Sequence, residues 1–387
     1  MIVRLLLSSD SIQTIETTLN HDLQRVTEWA NQWLVNFNPS KTEVLFLSLS
    51  KNNQNRPALY FQNTQLSYVE SHKHLGLTLS SDGSWHTHIS NIMTSSSKIL
   101  GSMRLLKFKL KRKTLNQIYI SYLRPILEYA SILWDSCTIN EKETIEKIQY
   151  EAARLVTGLT RSVSIERLMK EIGWVSLAQR RKMQKLIIVY KHKAGELPEY
   201  LRELYPNTVL ENHNYPLRNQ ENYATILRRL EIYSKSVIPS SIKLWNELDL
   251  NIRNANTLSS FKSLLKSLFK PFDVPSYFLT GDRFLQIHHA RIRNKCSNLN
   301  ADLFYNHLRD DPNCDCGFNN EDAEHYFFRC PRFSTQRRNL FTSSRQFHPL
   351  SVLKLLFGIE NRTSEENEIL FIHVQQFIKT TKRFNQE

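Results

Sequence analysis

The sequence predicts an α+β chain that is predominantly α-helical. It has one small antiparallel sheet near its N-terminus and a small Cys/His-rich region near its C-terminus. Three observations carry this. Only 9 of the 387 residues are glycine, and the apolar residues recur mostly at helical spacing. Strand-like apolar runs cluster before Leu79. Finally, Cys314, Cys316, His325 and Cys330 form a C-x-C-x8-H-x4-C pattern. Hydrophobic residues make up 41% of the chain and aromatics 11%, enough to bury a core in two or three domains.

The formal net charge is +14. An excess of this size attracts polyanions, of which nucleic acid is the usual one; RNA, DNA or an RNA–DNA duplex is the expected partner. A basic surface without a specific partner is the plainer reading. Five cysteines in so long a chain make no disulfide framework, and three of them beside a histidine suggest metal in a reducing compartment. The expected location is intracellular, nucleus or cytoplasm, and not secreted. No apolar stretch reaches the ~18 residues of a membrane span. No phosphate-binding Gly-rich loop, nucleophile elbow or kinase signature is present, so no small-molecule substrate is expected.

In chain order, Ile2–Leu7 reads as a short strand, and Asp10 or Ser11 as a helix cap. Asp10 is read as that cap rather than as a metal ligand. Ile12, Ile15, Leu19, Leu23, Val26, Trp29 and Trp33 then paint one apolar helix face. Asn38-Pro39 stops this helix, because a residue before proline is pushed out of the α region. Lys41 and Thr42 lead into Val44–Leu49, read as a strand covered on both faces. Leu59–Phe61 and Leu66–Val69 flank an expected turn at Asn63-Thr64. His72–Leu79 turns at Leu75-Gly76, where the glycine fits either a close approach to a nucleic-acid strand or a strand bulge.

The helix Trp85–Leu106 precedes the densest basic run, Lys107, Lys109, Lys111, Arg112 and Lys113. This run fits a phosphate-contact site or a solvated inter-helix loop. Leu115–Trp134 reads as a helix interrupted near Pro125, with Tyr119, Tyr122, Tyr129 and Trp134 in the core. A helix carrying Ile145, Ile148, Ala152 and Val156 ends at Gly158, and a short one spans Ser164–Gly173. The next, from Leu177, bears Arg180, Arg181, Lys182, Lys185, Lys191 and Lys193 on a basic face. Such a face suits nucleic acid or a membrane surface. Cys137 reads as core, and helices near Trp245 and Phe261 lie between connectors.

Three thiolates and an imidazole suit a closed, structural zinc site. The single residue between Cys314 and Cys316 is tighter than the usual C-x2-C, so unliganded buried thiols remain the alternative. Cys296, His288 and His289 are nearby substitutes for a ligand. Arg332, Arg337 and Arg338 follow, within reach of phosphate.

Trp29, Ala30, Trp33, Asn38, Lys41 and Thr42, in the order helix, turn, strand, resemble motif D of reverse transcriptases of the non-LTR (LINE, jockey-like) retrotransposons. HKHLGLTL, with Leu75-Gly76, resembles their primer grip. IYISYLRPILEYASILW and IEKIQYEAARLVTGL resemble their thumb, and a Cys-Cys-His-Cys knuckle after a segment like HARIRNKCSNLNADL is similar to their C-terminal region. The resemblance implies a palm remnant over residues 1–83, a helical thumb over 84–203, a connector and helical region over 204–282, and a zinc-knuckle-like region over 283–387. It places Met1 just after the family's aromatic-Ala-Asp-Asp turn. The expectation is therefore nucleic-acid binding without enzymatic activity in this chain, zinc as cofactor, and no Mg²⁺ site without the catalytic aspartates. Lys41 matches the family's general-acid lysine, but without those carboxylates it is vestigial, as are Asn38 and Thr42. The alternatives are a helical interaction scaffold and an inert transposon relic.

Overall fold

The computed structural model describes residues 3–48, 56–213, 219–225, 231–269 and 273–384. These form two compact units, Met1–Ile92 and Met93–Glu387, whose boundary falls inside the helix His86–Leu106. The expected class holds: helices dominate, accompanied by small two-stranded sheets.

In the first unit, Ser11 caps helix α1 (Ile12–Gln32), accepting from the Thr14 amide. Leu23 packs with Leu59, Phe61 and Leu66 in a small core. Asn20 ties the helix to the next strand: its side chain donates to the Ala58 carbonyl and accepts from the Tyr60 amide, each at 2.8 Å. Trp29 and Trp33 depart from expectation, being 40% and 63% exposed. In this last turn it is Ala30, 1% exposed, that faces inward.

The sheet differs in detail. Strand β1 (Glu43–Val44) pairs in parallel with β4 (Ser67–Tyr68). β2 (Tyr60–Phe61) pairs with β3 (Thr64–Gln65), and β5 (Ser71–His74) with β6 (Leu77–Ser80), both antiparallel. Among the described residues there are thus three separate pairs rather than one antiparallel sheet. The expected buried strand Val44–Leu49 shrinks to its first residue, because residues 45–48 join no ladder; Leu49 lies outside the described residues. Val3–Leu7 is not a strand either, and Ile2 lies outside the described residues. The first hairpin turns at Gln62-Asn63, both with positive φ, not at Asn63-Thr64. The second turns at Leu75-Gly76, with φ of 46° and 85°. Positive φ at both central residues matches the twist of a tight hairpin.

The helix α2 (His86–Leu106), which spans that boundary, leads in the second unit to α3 (Arg112–Ile118), a π turn at Tyr119–Leu123 and α4 (Arg124–Glu128). Ala130, with φ of 48°, separates these from α5 (Ser131–Trp134). Tyr119 and Trp134 are core, but Tyr122 and Tyr129 are 65% and 54% exposed. The π turn adds a residue to the helical repeat and Ala130 redirects the chain, so a 3.6-residue period misplaces both rings. α6 (Ile139–Thr157) opens with a Thr138/Glu141 capping box and closes on Gly158, φ 80°. α7 (Ile165–Ile172) and α8 (Leu177–Lys193) follow. Tyr119 stacks on Trp174, with ring centroids 3.6 Å apart. Cys137 is buried as expected.

Two further cores complete the unit. One joins Leu186, Val189 and Tyr190 of α8 to Trp245 and Phe261. The other gathers Leu285, Leu299, Cys314, Tyr326, Cys330 and the C-terminal helix Ser364–Thr381 through Leu370 and Phe377. No described helix is long and apolar enough to cross a membrane.

Candidate metal centre and basic surface

The ligand cluster is assembled by two local structures. Cys314 opens a tight turn in which the Gly317 amide donates to the Cys314 carbonyl at 2.9 Å, and Gly317 has φ of 89°. This left-handed residue is what a C-x-C pair needs to bring both sulfurs to one side. The second structure is the π turn His325–Arg329, whose closing bond runs from the Cys330 amide to the His325 carbonyl at 2.8 Å. It holds His325 and Cys330 on one turn. Asp322 starts that turn by accepting from the His325 amide at 2.7 Å.

The potential ligand atoms of Cys314, Cys316, His325 and Cys330 all lie within 4.8 Å of one another. Cys314 Sγ and Cys330 Sγ are 3.8 Å apart, and Cys316 Sγ and His325 Nε2 are 3.3 Å apart. Sulfurs at the corners of a tetrahedron with Zn–S of about 2.3 Å stand about 3.8 Å from each other. The cluster is therefore of a size and chemistry that could hold a metal such as zinc. Cys314, Cys330 and His325 are buried and Cys316 is half-buried.

Burial pushes the Cys314 thiol up to about 12, helped by the Glu321 carboxylate, and it raises Cys330 as well. For Cys316 burial also pushes upward, but the Phe318 amide and the neighbouring thiols outweigh it and hold this thiol low. Burial keeps the imidazole of His325 below its ordinary value. A bound cation favours all three thiolates.

The surroundings fix this cluster. Phe318 stacks on the His325 ring at 4.5 Å, nearly parallel. Arg337 donates to the carbonyls of Phe327 and Cys330. Buried Glu321 accepts from Arg383 through both oxygens, at 2.8 and 2.6 Å, and from the Asn300 amide at 2.9 Å. Arg332 pairs with Asp315. Of the arginines expected to reach phosphate here, Arg337 is thus half-buried on the Phe327 and Cys330 carbonyls, Arg332 is exposed in a surface pair, and Arg338 is exposed. His289 faces the Leu355 carbonyl at 3.0 Å, and neither His288, His289 nor Cys296 belongs to the ligand cluster. Phe318 and the Glu321–Arg383 pair lie outside the ligand pattern, and no spacing rule marks them.

The predicted nucleic-acid residues divide by burial. Lys109, Lys111 and Lys113 are exposed and Lys107 is half-buried. Arg112 is not a surface residue: it is 2% exposed, its guanidinium donating to the Glu171 carboxylate at 2.9 Å. Arg181 and Lys185 are likewise buried and share Asp135, at 2.8 and 2.6 Å. Arg180 is held by Glu128. Of the expected basic face of α8, Arg181 and Lys185 are therefore neutralised inside the protein, Arg180 is half-buried in its pair, and Lys182 and Lys193 stay exposed. A charge pattern read along one helix does not show the carboxylates that other helices bring to it.

Leu75 and Gly76 form an exposed hairpin turn. Asn38 caps the 3-10 turn Pro39–Lys41 by accepting from the Ser40 amide at 3.0 Å, and Thr42 donates to the Asn38 carbonyl at 3.2 Å. Lys41 is exposed on that turn. These hydrogen bonds give Asn38 and Thr42 a local capping role.

No protein-family model matches this chain, and no solved structure matches it. The chain is similar to a probable RNA-directed DNA polymerase from transposon X-element of Drosophila melanogaster, with 26% identity over 152 residues. The match covers 38% of this chain and 16% of that polymerase, so the chain shares a distant, partial relation with a transposon polymerase over a small fraction of the relative's length.

Proposed function

We propose that this chain is a nucleic-acid-binding part of a non-LTR retrotransposon reverse transcriptase, with a structural zinc centre and no polymerase activity of its own. The similarity to a probable RNA-directed DNA polymerase carries the reading. It is supported by the exposed lysines at 109, 111 and 113 and the net charge of +14. The motifs that resemble the family lie around Lys41, the Leu75-Gly76 turn and the thumb-like helices, and none supplies the carboxylates of two-metal phosphoryl transfer.

Cys314, Cys316, His325 and Cys330 would hold the zinc, and four protein ligands leave no position for a reactive water. When bound, the ion cross-links the turn at Cys314 to the π turn at His325; no chemical step is assigned to it.

The test is binding of the purified chain to an RNA–DNA duplex across a salt series. Affinity falling steeply with salt supports the reading, with a slope of about −0.9 per neutralised phosphate on duplex DNA as the guide. Absence of binding at low salt sinks it. Templated primer extension in Mg²⁺ or Mn²⁺ would overturn the non-catalytic part. The internal neutralisation of Arg180, Arg181 and Lys185 favours a second reading, a helical scaffold, which predicts no nucleic-acid binding at all.

A further inference from the structure

The connection between α2 and α3 carries more than charge. Phe108 stands at its tip, 64% exposed, between Lys107 and Lys109. The Lys107 ammonium lies 4.6 Å from the centroid of its ring. Arg104, Lys109, Lys111 and Lys113 are exposed around it, and none forms an ion pair among the described residues.

The tip is rigidly mounted. The Lys109 and Leu110 amides both donate to the Leu106 carbonyl at 3.0 Å, closing the turn. From beneath, buried Arg283 donates to the Lys107 carbonyl at 2.6 Å. On the far side, the Arg112 amide donates to Gln286 at 3.0 Å while its guanidinium is locked on Glu171. Two buried arginines thus hold the loop backbone and leave its ring and lysines outward. A pre-set platform loses little entropy on binding.

We propose that this tip binds an unpaired stretch of nucleic acid, with a base stacked on Phe108 and the flanking phosphates on Arg104, Lys109, Lys111 and Lys113. A lone aromatic amid cations matches the stacking platform and electrostatic track that single strands require, because every base has a π face and a duplex hides it. A membrane surface fits less well: it needs a broad apolar face, and here only Phe108 and Leu105 stand exposed among four exposed cations. The inference rests on the nucleic-acid reading above and adds to it a site at this tip for an unpaired strand.

The experiment uses the full chain, a labelled oligothymidylate and a blunt duplex of equal length, read by fluorescence anisotropy across salt. Phe108→Ala weakens oligothymidylate binding roughly 5- to 150-fold, the range for loss of one stacked base, and leaves the duplex within about twofold. The salt slope is unchanged, since no charge is removed, and Phe108→Trp keeps the affinity and shows quenched fluorescence on binding. Because the ring is exposed, circular dichroism should show both variants folded. Equal loss on both ligands, or none on either, overturns stacking while leaving nucleic-acid binding in place. Failure of the unaltered chain to bind either ligand overturns both readings. Phe108-dependent binding to vesicles containing phosphatidylserine, without any effect on oligothymidylate, assigns the tip to membranes and overturns the proposal.

Discussion

Arg293 grips both carboxylate oxygens of Glu171, at 3.0 and 2.6 Å, across 122 residues of sequence. Arg112 donates to the same carboxylate, and Asn294 reaches it at 3.2 Å. One buried carboxylate therefore joins the start of α3, the end of α7 and the helix Arg283–Arg293. Two guanidiniums on one carboxylate leave a net positive charge in the interior. Removal of that carboxylate isolates both cations, which is far costlier than loss of an exposed pair.

Glu171→Gln is expected to destabilise the chain by about 3–5 kcal/mol, the range for breaking a buried pair. Burial pushes the Glu171 carboxyl up, but Arg293 and then Arg112 overcome this and hold it at about 2, against an ordinary 4.5. The folded value is the lower one, so the stabilisation is complete above about pH 4.5 and is lost as pH falls towards 2. Urea unfolding at neutral and acidic pH checks this: the gap between the two proteins should narrow on acidification. A gap independent of pH would remove the ionic account.

The metal centre predicts one zinc per chain by native mass spectrometry, absent in Cys316→Ser and in His325→Ala. Proton competition for thiolates and imidazole should weaken binding as pH falls. Chelation should expose the region from Cys314 to Cys330 to limited proteolysis before the rest of the chain. A protein that binds no zinc, yet resists protease there, would return the cluster to simple buried thiols.

Combined replacement of Lys109, Lys111 and Lys113 by alanine should flatten the salt dependence of duplex binding, by up to about 0.9 for each phosphate that is no longer neutralised. The same charge removed at Arg181 should leave the slope alone and lower stability, because Arg181 is spent on Asp135 and Glu146. Equal effects on the slope would mean that burial does not separate the two groups.

Gly158→Ala should destabilise by about 1–3 kcal/mol, as for other left-handed strain. Gly158 sits at φ 80°, and an added Cβ would meet Ile287 Cγ1 at 2.6 Å. Thermal unfolding measures this, and an unchanged Tm would show that the neighbouring helix yields freely.

Much of the helical frame was legible because local signals agree with one another. Ser11 and Gly158 cap helices where their chemistry says they should. The Cys314/Cys316/His325/Cys330 cluster was legible too, since three thiols and an imidazole at short spacing are rare and their geometry is largely local. Tyr122 and Tyr129 were misplaced by a π turn, which leaves no mark in an apolar period. The turn of the first hairpin slipped by one residue, because Gln62 carries none of the usual signals for positive φ.

Residue type, helical period and ligand spacing thus settle which segments are helices, where several begin and end, and which four side chains meet at a metal-sized centre. These are short-range matters, set by backbone sterics and by atoms a few residues apart. Tertiary structure alone decided the fate of the basic residues. Arg112, Arg181 and Lys185 look like Lys109 and Lys113 in sequence, but carboxylates from distant segments, Glu171 and Asp135, draw the first three inside. Burial of a charge depends on a partner that desolvation makes obligatory, and only folding reveals where that partner lies.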